Sequence, residues 1–102
     1  MRKLVVLIQA MTPVQDQRFA EHLTATGWSY WHWVDGAWLI TTNNLVLDPA
    51  TSIRNKLMEI APGKYSLIFE SRGVSPQYAG FGPQTDQNHM FNWVNANWLD
   101  PI

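Results

Sequence analysis

Asp35-Gly36, set between two runs of aromatic and β-branched residues, constrains this chain more than any other feature. An Asp-Gly pair accepts the positive φ angles of a two-residue hairpin turn, and residues 28–34 and 37–42 on either side are rich in strand-favouring side chains. The two runs are therefore antiparallel neighbours. With Val34 paired to Ala37, Trp33 faces Trp38 and Trp31 faces Ile40 on one side of the sheet, the expected core side. The other side collects Trp28, Tyr30, His32, Val34, Ala37, Leu39 and Thr41. In a two-layer domain that side meets water and should be mostly polar, yet this set is mostly apolar. Such a patch marks an interaction surface, and a symmetric homodimer would cover it. On this reading the dimer interface includes Trp28, Tyr30, His32 and Leu39. The alternative cover is the C-terminal segment folded back, with Trp93 and Trp98.

The remaining elements follow from caps and periodicity. Leu4 to Ile8 are apolar on both alternating faces, as in a central strand. Thr12-Pro13-Val14-Gln15 reads as a capping box with proline in the first turn, opening a helix to about residue 26 whose inward stripe is Val14, Phe19 and Leu23. Asp48-Pro49 opens a second helix on which Ile53, Leu57 and Ile60 recur, and Pro62-Gly63 ends it. Residues 65–70 form a fourth strand. Residues 71–84 hold three Gly and two Pro and read as irregular. From 85 or 86 to 98, Met90, Phe91, Val94 and Trp98 share one face of a short helix. The order is that of an α+β, ferredoxin-like βαββαβ fold, with both helices on one face of a four-stranded antiparallel sheet and a short C-terminal helix added. The expectation is one domain over 1–102, with its core in 1–72 and an irregular segment and helix in 73–102.

Composition removes several function classes. The chain has 102 residues, 46% hydrophobic and 15% charged, enough to fill one core. A net charge of -1 provides no broad basic surface for duplex nucleic acid. Without cysteine there is no disulfide framework, thiolate nucleophile or Cys-ligated zinc, which fits a reducing compartment. Met1-Arg2-Lys3 before five apolar residues imitates a signal peptide, but a buried strand explains the run better. No stretch approaches the roughly 20 apolar residues of a membrane span, so no membrane partner is expected. The expected location is the cytoplasm of a bacterium or of a virus-infected bacterium. Six tryptophans, four of them between Trp28 and Trp38, exceed what a small core needs.

The stretch from Gly27-Trp28-Ser29-Tyr30-Trp31-His32-Trp33-Val34 through Asp35-Gly36-Ala37-Trp38-Leu39-Ile40 resembles the hairpin of the SinR-like family of ferredoxin-fold proteins, relatives of CRISPR-associated protein 2. Ser52-Ile53-Arg54-Asn55-Lys56-Leu57 continues the likeness, and Tyr78-Ala79-Gly80-Phe81-Gly82 with Phe91-Asn92-Trp93 follows more loosely. The resemblance implies the same fold and a homodimer. Nuclease-active relatives carry an Asp at the end of the first strand, paired across two subunits to hold a metal ion. Here the region reads Ile8-Gln9-Ala10-Met11, and neither an amide nor a methyl group replaces a carboxylate on Mg²⁺.

Other chemistry is sparse. His22, His32 and His89 form no metal-ligand spacing, and no nucleophile elbow, phosphate loop or dinucleotide fingerprint is present. No metal, cofactor or catalytic residue is assigned. His22 reads as a surface residue and His32 as an interface histidine. Glu70 and Asp35 are the acids that a rearranged site across a dimer would use. Arg54 reads as solvated on its helix. Arg72, beside Tyr78 and Phe81 in the irregular segment, joins a guanidinium fork for phosphate to rings on which a base stacks. The expected function is a non-catalytic homodimeric binding protein for a nucleotide or short single-stranded nucleic acid, a description that suits bacterial or phage defence. The alternatives are a metal-dependent endoribonuclease or antitoxin of the CRISPR-associated protein 2 type, and a purely structural dimer.

Overall fold

The computed structural model describes residues 2–43, 48–71 and 80–98, and its contacts group the chain into two compact units, 1–71 and 72–102. The first unit runs β1 (Arg2–Ile8), α1 (Pro13–Ala25), β2 (Ser29–Val34), β3 (Ala37–Thr42), α2 (Pro49–Ile60) and β4 (Ser66–Ser71). The strands form one sheet in the order β2-β3-β1-β4, and every neighbouring pair is antiparallel. β3 fills the gap between β1 and β2, and β1 the gap between β3 and β4, as two interleaved split βαβ units require. The ferredoxin-like α+β fold expected from the element order is the one observed. None of the described helices is long and apolar enough to cross a membrane.

Local chemistry explains where the helices begin. The Thr12 hydroxyl accepts the Gln15 N–H at 3.2 Å, and the Gln15 side-chain oxygen accepts the Thr12 N–H at 3.0 Å, with Pro13 in the first turn. At α2, Asp48 accepts the Thr51 hydroxyl at 2.6 Å and its N–H at 3.0 Å, and these bonds hold the Asp48 carboxyl below its ordinary value. Each cap satisfies an N–H that a helix start would leave unpaired. The core lies between the helices and one sheet face: Leu4, Val6 and Ile8 from β1, Phe19 and Leu23 from α1, Trp38 and Ile40 from β3, and Ile53, Leu57 and Ile60 from α2.

Two expectations for the first unit are corrected. Val14 is 66% exposed rather than inward. It precedes Phe19 by five residues, which turns it about 140° away on a helix of 3.6 residues per turn. The larger correction is in the hairpin. Val34 pairs with Ala37 as expected, but Trp31 pairs with Leu39 and Tyr30 with Ile40, because a bulge makes His32 and Trp33 together oppose Trp38. One extra residue in a strand reverses the faces of every residue beyond it. Trp28, Tyr30 and His32 therefore lie on the helix-covered side with Trp38 and Ile40, and Trp31 on the other side with Leu39. Trp33 is half exposed and takes no part in the core.

In the second unit, residues 85–89 are not helical. Thr85 and Asn88 exchange backbone hydrogen bonds of 3.3 Å, the Thr85 hydroxyl accepts the Asn88 N–H at 3.1 Å, and Gln84 bridges to His89. A hydroxyl that closes its own turn competes with helix, which delays the helical run to residue 92. That run ends in a π-helical turn, Val94–Trp98. Met90, Phe91, Val94 and Trp98 are all buried, as their spacing predicts.

Candidate functional site

The sheet face turned away from α1 and α2 is built of three rows that cross all four strands. Pairing aligns Val34, Ala37, Leu7 and Leu67 in one row; Trp31, Leu39, Val5 and Phe69 in the next; and Ser29, Thr41, Lys3 and Ser71 in the third. The first two rows carry no charge. Lys3, Thr41 and Trp31 are buried, while Leu7, Val34, Leu67 and Phe69 are exposed, Leu67 to 61%. An apolar face was thus expected correctly, but Leu39 is the one named interface residue that lies on it. Trp28, Tyr30 and His32 are removed from it by the bulge, and Val5, Leu7, Leu67 and Phe69 take their place. Alternation in β1 and β4 could have pointed to these four, since their partners on the same strands are the core residues Leu4 and Val6 and the half-buried Ile68.

At the end of this face a shallow groove of about 520 Å³ opens between the last residues of β1, the hairpin turn and the start of β4, lined by Leu7, Gln9, Val34, Asp35, Tyr65 and Leu67 among others. Gln9 stands here, where the resemblance would place an acid. Its side-chain oxygen accepts the Tyr65 N–H at 2.8 Å while its own N–H donates to the Tyr65 carbonyl at 3.0 Å. Gln9 extends the β1–β4 ladder with its side chain and is a structural residue. The acids proposed for a rearranged site do not meet within the chain. Glu70 is paired with Arg2 through bonds of 2.8 and 3.0 Å and lies opposite Leu4, whereas Asp35 precedes Gly36, whose carbonyl accepts the Ile8 N–H. Four residues of strand separate the two levels, about 13 Å at 3.3 Å per residue. Among the described residues, no three His, Asp or Glu side chains gather where a metal ion could be held.

His32 has a packing role. Its ring stacks on Trp38 at 3.8 Å and 3°, its Nδ1 lies 2.9 Å from the Ala37 carbonyl, and its Nε2 lies 3.6 Å from Asp16. With Nδ1 donating to that carbonyl, the side chain replaces a ladder bond at the bulge. His22 lines a small groove between the helices with Arg18, Glu21 and Lys56. Burial and the nearby Lys56 charge hold its imidazole below the ordinary value of 6.5, and Glu59 partly opposes them. A histidine depressed in the fold binds fewer protons than the unfolded chain, so stability is full above the ordinary value and falls as the pH drops through 6.5 toward the folded value. Urea midpoints should therefore be lower at pH 5 than at pH 8, and His22→Gln should flatten that part of the slope; an unchanged slope would remove His22 as its source.

Of the expected ligand residues, Arg72 and Tyr78 lie outside the described residues. Phe81 is described, and its ring is 98% exposed. Arg54 is exposed and bonded to the neighbouring Asn55, as a solvated helix residue would be. Compared with family models, curated proteins and solved structures, the chain matches none of them.

Proposed function

We propose that this chain is a non-catalytic binding module, acting in the cytoplasm as a homodimer joined through the apolar rows of its sheet, whose ligand is a nucleotide or short single-stranded nucleic acid. The observation that carries the dimer is the exposed row of Val34, Leu7 and Leu67 with Phe69 beside it. Exposed apolar side chains grouped on one sheet face are unfavourable in water and become favourable once covered. A second copy is a suitable cover because the rows are uncharged and the chain carries a net charge of only -1, so two copies meet without strong repulsion. The nucleotide reading is supported by the exposed ring of Phe81 and by Arg72 and Tyr78 in the same sequence segment. A role in bacterial or phage defence, and kinship with the SinR-like family, belong to the same proposal.

Equilibrium sedimentation should give a dimer for the native sequence and a monomer for Phe69→Glu and Leu67→Glu. Both sites are exposed, so their circular dichroism should stay native. A native chain that is monomeric at micromolar concentration would overturn the dimer. A dimer that binds no nucleotide would leave a structural role in place of the ligand-binding one.

A further inference from the structure

Residues 80–98, within the second unit, build a surface of their own. Gly80 lies flat on the ring of Phe91: a Cβ added there would come within 2.8 Å of Cε1 and 3.1 Å of Cζ. Gly82 lies as closely on Met90, where a Cβ would overlap the sulfur. Phe91 and Met90 are both buried, so the backbone is held on either side of Phe81 while the Phe81 ring stands in solvent. A Phe side chain left in water forgoes the stabilisation that burial of its ring would bring. A ring presented in this way from a clamped backbone is a platform for another flat ring.

Gly80 is also one wall of a cleft of about 310 Å³, lined among the described residues by Gln84, His89, Phe91 and Asn95 as well. His89 Nδ1 accepts the Phe91 N–H at 3.2 Å, so the neutral ring carries its proton on Nε2 as a donor. Among the described residues the Gln84 side-chain amide has no partner, leaving both a donor and an acceptor available. Among the described residues, no Lys, Arg, Asp or Glu lines the cleft. A neutral, polar lining suits an uncharged group with in-plane donors and acceptors and does not suit phosphate. Its volume is at the small end for ligand sites, which start near 300 Å³.

We infer that this cleft takes the edge of a nucleobase, with the side chains of Gln84 and His89 addressing it and Phe81 offering a face for stacking. Side-chain amides match the donor and acceptor pair that adenine carries at N6 and N7, and single bases are commonly held by aromatic stacking plus edge hydrogen bonds. The inference rests on the nucleotide reading above and names the part of the ligand recognised. It places that recognition in side chains other than Arg72 and Tyr78.

The test uses the full chain, the four nucleosides, AMP and inorganic phosphate, with binding read by calorimetry and the His89 ring followed by NMR. A nucleoside, adenosine foremost, should bind without its phosphate and shift the His89 ring signals. Gln84→Ala and Phe81→Ala should each weaken it about tenfold or more, as loss of a stacked base or a paired edge does. Inorganic phosphate should leave the His89 signals unmoved. AMP that binds while no nucleoside does, or binding that Gln84→Ala leaves unchanged, would overturn the cleft and keep the nucleotide reading. No binding by any nucleoside or AMP would overturn both.

Discussion

Trp38→Ala should cost about 3 to 5 kcal/mol, the range for a buried Trp or Phe cut back to Ala. Trp38 is 1% exposed and holds together three elements: Phe19 from α1 packs against its ring in a T-shaped arrangement at 4.8 Å and 77°, Tyr30 of β2 lies 5.5 Å away, and His32 of β2 stacks on it at 3.8 Å. Removing the indole opens a cavity and leaves the His32 imidazole over empty space. Domains of this size are stable by about 5 to 15 kcal/mol, so most of that reserve is consumed. Trp38→Phe should cost far less, because the buried indole N–H has no hydrogen-bond partner among the described residues and its loss relieves an unsatisfied donor. Chemical denaturation of the two variants decides the matter: equal losses would mean that ring size, rather than an aromatic at this place, carries the packing.

Gly36→Ala should be nearly as damaging, for a reason that concerns the backbone. Gly36 has φ 76°, and a Cβ there would collide with the carbonyl oxygen of Ile8. The same approach lets the Gly36 carbonyl accept the Ile8 N–H at 2.7 Å, tying the turn to the end of β1. Holding a residue other than glycine at positive φ costs about 1 to 3 kcal/mol, and a buried N–H that loses its partner adds about 1 to 3. Gly27 provides the control, since its φ is 79° but a Cβ would meet nothing within 4 Å. Gly27→Ala should carry the strain alone. If the two variants lose equal stability in urea, the contact with Ile8 contributes nothing.

The hairpin, both helix starts and the strand order's general class were legible because each depends on neighbours in the chain. Asp35-Gly36, the Thr12–Gln15 box and the Asp48-Pro49 cap act across two to four residues, and the structure uses all three as expected. The candidate site was legible only in part. An apolar sheet face was foreseeable from alternation, and Leu39 belongs to it; Trp28, Tyr30 and His32 were assigned to it by assuming an unbroken ladder. The cleft of Gln84, His89 and Asn95 was missed because a turn and a bridge, with no periodic signal, gather these residues.

Sequence by itself determined the element order, the caps, the turn and the alternation that selects a ferredoxin-like sheet, since these are set by backbone preferences and side chains a few bonds apart. The tertiary structure alone decided the register of β2 beyond the turn. That register is held by the His32 ring lying on Trp38, by its Nδ1 on the Ala37 carbonyl and by Asp16 of α1 beside its Nε2. It likewise committed Glu70 to Arg2 and Gln9 to Tyr65, far from any shared acid site. Partners separated by tens of residues leave no periodic trace in the chain, because what selects them is the distance between their side chains once the sheet and helices have packed.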